Sequence, residues 1–214
     1  MKYKTISNDP YNRHRVTPPY CYLDDAFSED DLNKIKTYCN TLEKKPALIG
    51  DEKSSDLDGD KIRKSKVSFL NRNSDSELDW VFIKFNEMSQ YLNENFYNFD
   101  LNGYTGIQYT EYDNQYSGKY DYHIDMRIGD LDPNGDDIKY GDTRKLSIIL
   151  FLSDPNSYEG GEFKIKLGES FEHVVEQKIG RFICFPSFLL HKVSPVTQGT
   201  RKSLVAWIEG PKFI

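Results

Sequence analysis

The sequence predicts a mainly β fold with flanking helices: a jelly roll of two sheets, with two N-terminal helices packed on one of them. Three observations predict it. Two stretches before residue 103 carry apolar residues at helical spacing. From Tyr104 onward, short β-rich runs are separated by Gly, Pro, Asn and Asp, as in an all-β sandwich. Those runs fall at 104–112, 119–126, 144–152, 162–167, 172–177, 180–186, 189–194 and 201–209, and a double-sheet jelly roll uses about eight strands. The 214 residues suit one domain, with residues 1–103 as arm, helices and supporting strands and residues 104–214 as the jelly-roll core.

Residues 1–20 are polar, are broken by Pro10, Pro18 and Pro19, and read as an irregular arm with one edge strand. Ser28 is a good helix N-cap with Asp31 three positions on, and Glu29, Asp30 and Asp31 suit the positive end of the helix dipole. Leu32, Ile35, Tyr38, Cys39 and Leu42 continue at helical spacing, so a helix is expected over 28–44, stopped near Pro46. Residues 50–60 have loop composition and lack the ordered spacing of a calcium loop. Lys61 to Leu70 reads as a strand directed inward through Val67 and Phe69. Leu78, Val81, Phe82, Phe85, Met88, Tyr91 and Leu92 form the apolar stripe of a second helix over 77–95. Tyr158-Glu159-Gly160-Gly161 reads as a turn, and the polar segment 127–143 as a lid or substrate loop.

Composition narrows the function. The formal net charge of −6 argues against a nucleic-acid binder, which carries a basic stripe. No run approaches the roughly 18–20 apolar residues of a membrane span, and Met1-Lys2-Tyr3-Lys4-Thr5 leads into no apolar signal segment. Cys21, Cys39 and Cys184 form no CxxC pair and suit free thiols in a reducing compartment, so the cytoplasm is expected. Cys184 sits in an apolar run and reads as core packing.

Chemistry is concentrated at His123-Ile124-Asp125, His191 and Arg201. In a strand, residues i and i+2 share a face, so His123 and Asp125 can reach one metal together. His191, from a later strand, completes two imidazoles and one carboxylate, a facial set that leaves coordination positions open on non-haem Fe(II); zinc stays open by ligand type. Arg201 enters an otherwise apolar run and needs a partner, because an unpaired buried charge is costly. A guanidinium pairs bidentately with a carboxylate. With Ser203 on the same face, it could hold the far carboxylate of 2-oxoglutarate while the keto acid end chelates iron. His173 is expected to face solvent from an edge strand, and His14 lies in the polar arm. By alternation Tyr122 faces away from His123 into the core, Lys192 points away from the metal, and Arg127 shares the metal face.

The motifs Ile107-Gln108-Tyr109-Thr110-Glu111-Tyr112, Tyr120-Asp121-Tyr122-His123-Ile124-Asp125, Arg144-Lys145-Leu146-Ser147, Tyr158-Glu159-Gly160-Gly161-Glu162-Phe163 and Gly199-Thr200-Arg201-Lys202-Ser203 resemble the prolyl 4-hydroxylase-like (PKHD-type) Fe(II)/2-oxoglutarate-dependent dioxygenases. The resemblance covers 104–214. It implies a double-stranded β-helix, iron held by His123, Asp125 and His191, and 2-oxoglutarate held by Arg201. It also implies a tyrosine about ten residues before the first histidine at the co-substrate, with Tyr112 the nearer match and Tyr109 the second. Phe151 stands where some such enzymes place another tyrosine, which shifts the expected contact onto Ser203. The implied activity is O2-dependent hydroxylation of a prolyl residue in a peptide or protein, with release of succinate and CO2 and ascorbate as an auxiliary reductant. The alternatives are hydroxylation of a free amino acid or other small molecule, and a metal-binding jelly roll without turnover. A zinc hydrolase would need Glu111 or Glu162 as its base, and would leave Arg201 without a task.

Overall fold

Central strands such as Thr143–Phe151 and Phe182–Pro186 are buried on both faces, and the fold follows from covering both. The computed structural model describes residues 2–5, 17–47, 62–70, 72, 76–104, 106–126 and 142–213. His14, the loop 50–60, Arg127 and nearly all of the expected lid 127–143 lie outside the described residues.

In chain order the elements are β1 (Lys2–Thr5), β2 (Cys21–Asp24), α1 (Glu29–Thr41), β3 (Lys45–Pro46), β4 (Arg63–Lys64), β5 (Lys66–Leu70) and α2 (Asp79–Leu92). The jelly roll follows with β6 (Ile107–Asp113), β7 (Lys119–His123), β8 (Thr143–Phe151), β9 (Tyr158–Gly160), β10 (Phe163–Lys166), β11 (Glu172–Val174), β12 (Phe182–Pro186), β13 (His191–Val193) and β14 (Val196–Gly210). They form two antiparallel, unclosed sheets. The larger runs β1-β2-β12-β8-β14-β6-β5-β3, with β9 paired to the start of β14; the smaller runs β11-β10-β13-β7-β4. Each of the eight strands read after residue 104 has its counterpart. The stretch read as a turn at Tyr158-Glu159-Gly160 is instead β9, because Gly160 at φ 72° brings the backbone against Pro195, where a Cβ would sit 2.1 Å from the carbonyl oxygen.

The larger sheet is buried on both faces, which is why its central strands read as apolar runs. Leu146, Ile148 and Leu150 of β8, Phe182 and Cys184 of β12, and Leu204, Ala206 and Ile208 of β14 face the helices. Ile149, Phe151, Ile183 and Phe185 face the smaller sheet and meet Phe163, Ile165 and Val193 from it. Against the outer face lie Leu32, Ile35 and Cys39 of α1 and Val81, Phe82, Phe85, Met88 and Leu92 of α2, as the apolar stripes require.

Ser28 caps α1 in a reciprocal box with Asp31, each backbone N–H donating to the other's side chain at 3.1 Å. The helix ends at Thr41 rather than 44, because Leu42 is already extended and Pro46 holds the chain in β3. α2 continues through a π-helical turn, Asn93–Tyr97, closed by Asn98 in the left-handed conformation that asparagine tolerates.

Three packing expectations are corrected. Phe69 is 52% exposed while Val67 and Leu70 are buried, so β5 does not direct Phe69 inward. Tyr122 does point away from His123, but onto the outer side of the smaller sheet, where its hydroxyl donates to Glu172 beside Lys192; among the described residues no helix covers that face. His173 lies on edge strand β11 but is half-buried, its Nε2 3.0 Å from the Tyr20 hydroxyl.

Candidate active site

Strand pairing brings the candidate metal residues together. His123 ends β7 and His191 opens β13, and the two are direct antiparallel partners with ring centroids 4.2 Å apart. Asp125 follows β7, and the backbone N–H groups of Asp125 and Met126 both donate to the Ser187 carbonyl at 2.9 Å. The Asp125 carboxylate then lies 3.5 Å from His123 Nε2 and 3.4 Å from His191 Nε2, and one donor atom from each of the three residues falls within 4.8 Å of the others.

The surroundings aim these donors. His123 Nδ1 is 2.8 Å from the Asp121 carbonyl and His191 Nδ1 2.8 Å from the Leu189 carbonyl. Carbonyls only accept, so each Nδ1 carries the proton and each Nε2 presents a lone pair inward, the arrangement that orients metal-binding histidines. Ser147 donates to Asp125 Oδ2 at 2.7 Å and lies 2.9 Å from the Ser187 hydroxyl. Tyr120 stacks on His123 with ring centroids 3.4 Å apart, and the Arg63 guanidinium lies 4.6 Å from the Tyr120 ring. Phe185 and Phe163 wall the His191 side at 4.9 and 5.7 Å.

Charge follows from burial and neighbours. Burial holds His123 below the usual histidine range. Burial also opposes the charge of Asp125, but the two imidazoles and their hydrogen bonds outweigh it and hold the carboxyl well below its usual value. For His191 the Asp125 carboxylate overrides burial and raises the imidazole. A neutral imidazole, a second imidazole and a firmly ionised carboxylate form the donor set that a divalent first-row metal takes.

Arg201 is the next landmark. It is only 2% exposed, yet it lines the same cavity as the three metal residues, together with Ser203 and Tyr112. Its Nε donates to Gln177 Oε1 at 2.8 Å. Its Nη2 is buried and has no hydrogen-bond partner among the described residues. The Tyr112 and Phe151 rings flank the guanidinium at 5.4 and 5.3 Å, and the Tyr158 side chain lies beside it. Burial lowers its pKa from the usual arginine value. A buried guanidinium lining a cavity shared with a candidate metal triad fits the far carboxylate of a dicarboxylic co-substrate.

Tyr109 does not join this group. It stands three positions from Tyr112 and therefore on the opposite face of β6, among the helix-facing residues, with its hydroxyl donating to Glu111 at 2.7 Å. Glu111 itself lies within 3.8 Å of Lys44 and 3.6 Å of Lys202, and Glu162 pairs with Lys164 at 2.9 Å; neither lines the cavity, so the hydrolase reading loses both of its bases. Lys192 points away from the metal residues and pairs with Glu172 at 3.0 Å. Ser147, Arg63, Tyr158 and Gln177 were not singled out as site residues from the sequence. Ser147 had a usable signal, a hydroxyl inside the apolar run Leu146-Ser147-Ile148-Ile149; Gln177, in a polar loop, had none.

Comparison with known proteins agrees with this geometry. The model of the 2OG-Fe(II) oxygenase superfamily matches residues 107–209. The sheet region is similar to the 2OG-Fe(II) oxygenases. A PKHD-type hydroxylase from Alteromonas mediterranea is 40% identical over 98 residues, 45% of this chain and 41% of that protein, so the match spans about two fifths of the relative's length. Among solved structures, a Pseudomonas putida prolyl-4-hydroxylase superposes with a TM-score of 0.68 at 20% identity, over 91% of this chain and 94% of that one. A Trichoplax adhaerens prolyl hydroxylase in complex with a hypoxia inducible factor peptide fragment superposes with a TM-score of 0.65 at 14% identity, over 89% and 83%. These structures share the double-stranded β-helix fold. Within an oxygenase-like frame, the His123, Asp125 and His191 donors fit Fe(II), and the orphaned Arg201 Nη2 fits 2-oxoglutarate. Among the described residues no helix is long and apolar enough to cross a membrane.

Proposed function

We propose that this chain is an Fe(II)- and 2-oxoglutarate-dependent dioxygenase that hydroxylates prolyl residues in a peptide or protein. The observation that carries the reading is the shared cavity: a His-Asp-His cluster and a buried arginine with an unsatisfied Nη2 line the same space. Iron bound there with 2-oxoglutarate and dioxygen supplies the oxidising power for C–H hydroxylation, with release of succinate and CO2.

The chain's own residues do the rest. His123, Asp125 and His191 hold the metal, and Ser147 fixes the carboxylate that faces it. Arg201 takes the far carboxylate of the co-substrate, with Ser203 and Tyr112 beside it. Phe151 at the Arg201 end and Phe163 and Phe185 at the His191 end keep the cavity apolar, which strengthens the ion pair with Arg201.

A macromolecular substrate is supported by a groove of about 610 Å³ beside the cavity, lined by Pro46, Ala47, Val67 and the exposed Phe69. Arg63 and Gln108 line both the groove and the metal cavity, so an extended chain could lie in one and reach the other. The prolyl hydroxylase likenesses make proline the residue to test.

The test is succinate formation by the purified chain with Fe(II), ascorbate and 2-oxoglutarate, with and without a proline-rich peptide. Stimulation by the peptide and loss in His191→Ala are the expected results. Turnover without stimulation would keep the oxygenase and favour a small-molecule substrate. No turnover in folded, iron-loaded protein would favour a metal-binding jelly roll.

A further inference from the structure

The carboxylate slot contains a device that the metal residues do not explain. Arg201 is almost fully buried, but no described carboxylate pairs with it. Its hydrogen-bond acceptor is the neutral amide of Gln177, and the neutral Tyr158 side chain lies beside the guanidinium. Gln177 cannot be turned around, because its Nε2 donates to the Gly161 carbonyl at 3.2 Å, which leaves Oε1 as the acceptor for Arg201 Nε at 2.8 Å. Tyr158 is also buried, with its ring 3.3 Å from where a Cβ on Gly161 would lie. Gly161 completes the seat: at φ 62° it has no Cβ, and one placed there would sit 3.0 Å from the Arg201 side chain.

We infer that Gln177 and Tyr158 form a neutral cradle that aims the Arg201 guanidinium at the slot while leaving its charge for the far carboxylate of the co-substrate. They are positioning residues, and the inference rests on the co-substrate reading above. An acid at either place would hold the arginine equally well, but would neutralise it internally and repel an incoming dianion. A neutral amide holds one edge of the guanidinium without competing for its charge. Burial without a counter-ion already costs Arg201 some of its proton affinity, and binding of the dicarboxylate relieves that cost. The slot is therefore a site whose affinity depends on the absence of an internal acid.

The experiment is calorimetric titration of 2-oxoglutarate into the full chain, both metal-free and Mn(II)-substituted, for wild type, Gln177→Glu, Gln177→Met and Tyr158→Phe. Gln177→Glu keeps the size of the side chain and an acceptor for Arg201 Nε. It is expected to weaken 2-oxoglutarate by about 100-fold. Gln177→Met removes the acceptor without adding charge and should weaken it by about 10-fold. Tyr158→Phe should show a smaller loss than Gln177→Met. Mn(II) affinity should be unchanged in all three, and in the iron enzyme the effect should fall on KM for 2-oxoglutarate rather than on kcat. A merely structural glutamine would predict the reverse, with Gln177→Glu binding as well as wild type; that result overturns the inference. Should Gln177→Glu fail to fold, an unchanged dissociation constant in Gln177→Met overturns it instead. Wild type that takes up no 2-oxoglutarate would overturn the co-substrate reading itself.

Discussion

Two arginines are buried to almost the same extent in this fold, and they are treated in opposite ways. Arg181 is 4% exposed and saturated with acid: Nε and Nη2 make a fork onto Asp24 at 2.8 and 3.1 Å, and Nη1 reaches Glu176 Oε2 at 3.0 Å and the Glu176 carbonyl at 2.9 Å. Its guanidinium also lies 4.2 Å from the Tyr22 ring. Burial opposes its charge, but the two acids overcome that and raise its pKa. Arg201 is 2% exposed, has an amide and a hydroxyl in place of acids, and its pKa is lowered. A protein can bury a guanidinium in either environment, but only the first is complete without a ligand. Arg181 ties the start of β12 to β2; on the proposed reading Arg201 takes an anion.

The largest expected effect separates them by ligand. Arg201→Ala should weaken 2-oxoglutarate by about 100-fold or more, since a bidentate pair carries two hydrogen bonds to charge, each worth about 1.5–3 kcal/mol. It should leave the melting temperature unchanged or raise it, because an uncompensated buried charge is removed. Titration calorimetry beside a thermal melt reads both, and a collapse in melting temperature would break the comparison. Arg181→Ala should do the opposite: a loss of about 3 kcal/mol in denaturant unfolding, with little change in 2-oxoglutarate affinity.

A pH experiment sharpens the same contrast. Burial works against the charged Asp24, but hydrogen bonds and charge from Arg181 hold its carboxyl below the usual value. A carboxyl with a lowered folded pKa contributes stability that is fully present above its unfolded pKa of about 3.9, and loses it as pH falls through the folded value. Asp24→Asn should therefore flatten the acid limb of the stability curve below about pH 4, read as melting temperature against pH. A wild-type acid limb in that variant would remove Asp24 from the pairing account. The smallest effect concerns the two tyrosines of β6. Tyr109→Phe should cost about 1 kcal/mol of stability through its bond to Glu111 and leave 2-oxoglutarate binding unchanged. Tyr112→Phe should raise KM for 2-oxoglutarate instead.

Much of this was legible in the sequence, and the reasons are specific. The capping box at Ser28 and the stripe from Leu78 to Leu92 are local signals, and both helices stand where those signals put them. The clustering of His123, Asp125 and His191 was legible from the HxD spacing, although Asp125 lies just past β7, and the burial of Arg201 from a charge that interrupts an apolar run. The same period separates Tyr109 from Tyr112, since residues three apart in a strand face opposite ways. Alternation also turned Tyr122 away from His123, but it could not say what covers that face; the helices lie on the other sheet, so Tyr122 meets Glu172 and Lys192 rather than a core. Gln177 and Tyr158 were invisible as a pair, because they reach Arg201 from a loop and from a glycine-rich strand nineteen positions apart, and only the folded chain joins them.

The most direct test of the central claim, one cavity for iron and a dicarboxylate, is anaerobic spectroscopy of the Fe(II)-loaded chain titrated with 2-oxoglutarate. Chelation of Fe(II) by a 2-oxo acid gives a visible charge-transfer band that neither component has alone. The account predicts that the band appears in wild type and in Arg181→Ala, needs far more 2-oxoglutarate in Arg201→Ala, and is absent in Asp125→Ala. Folded, iron-loaded wild type that shows no band at saturating 2-oxoglutarate would contradict it.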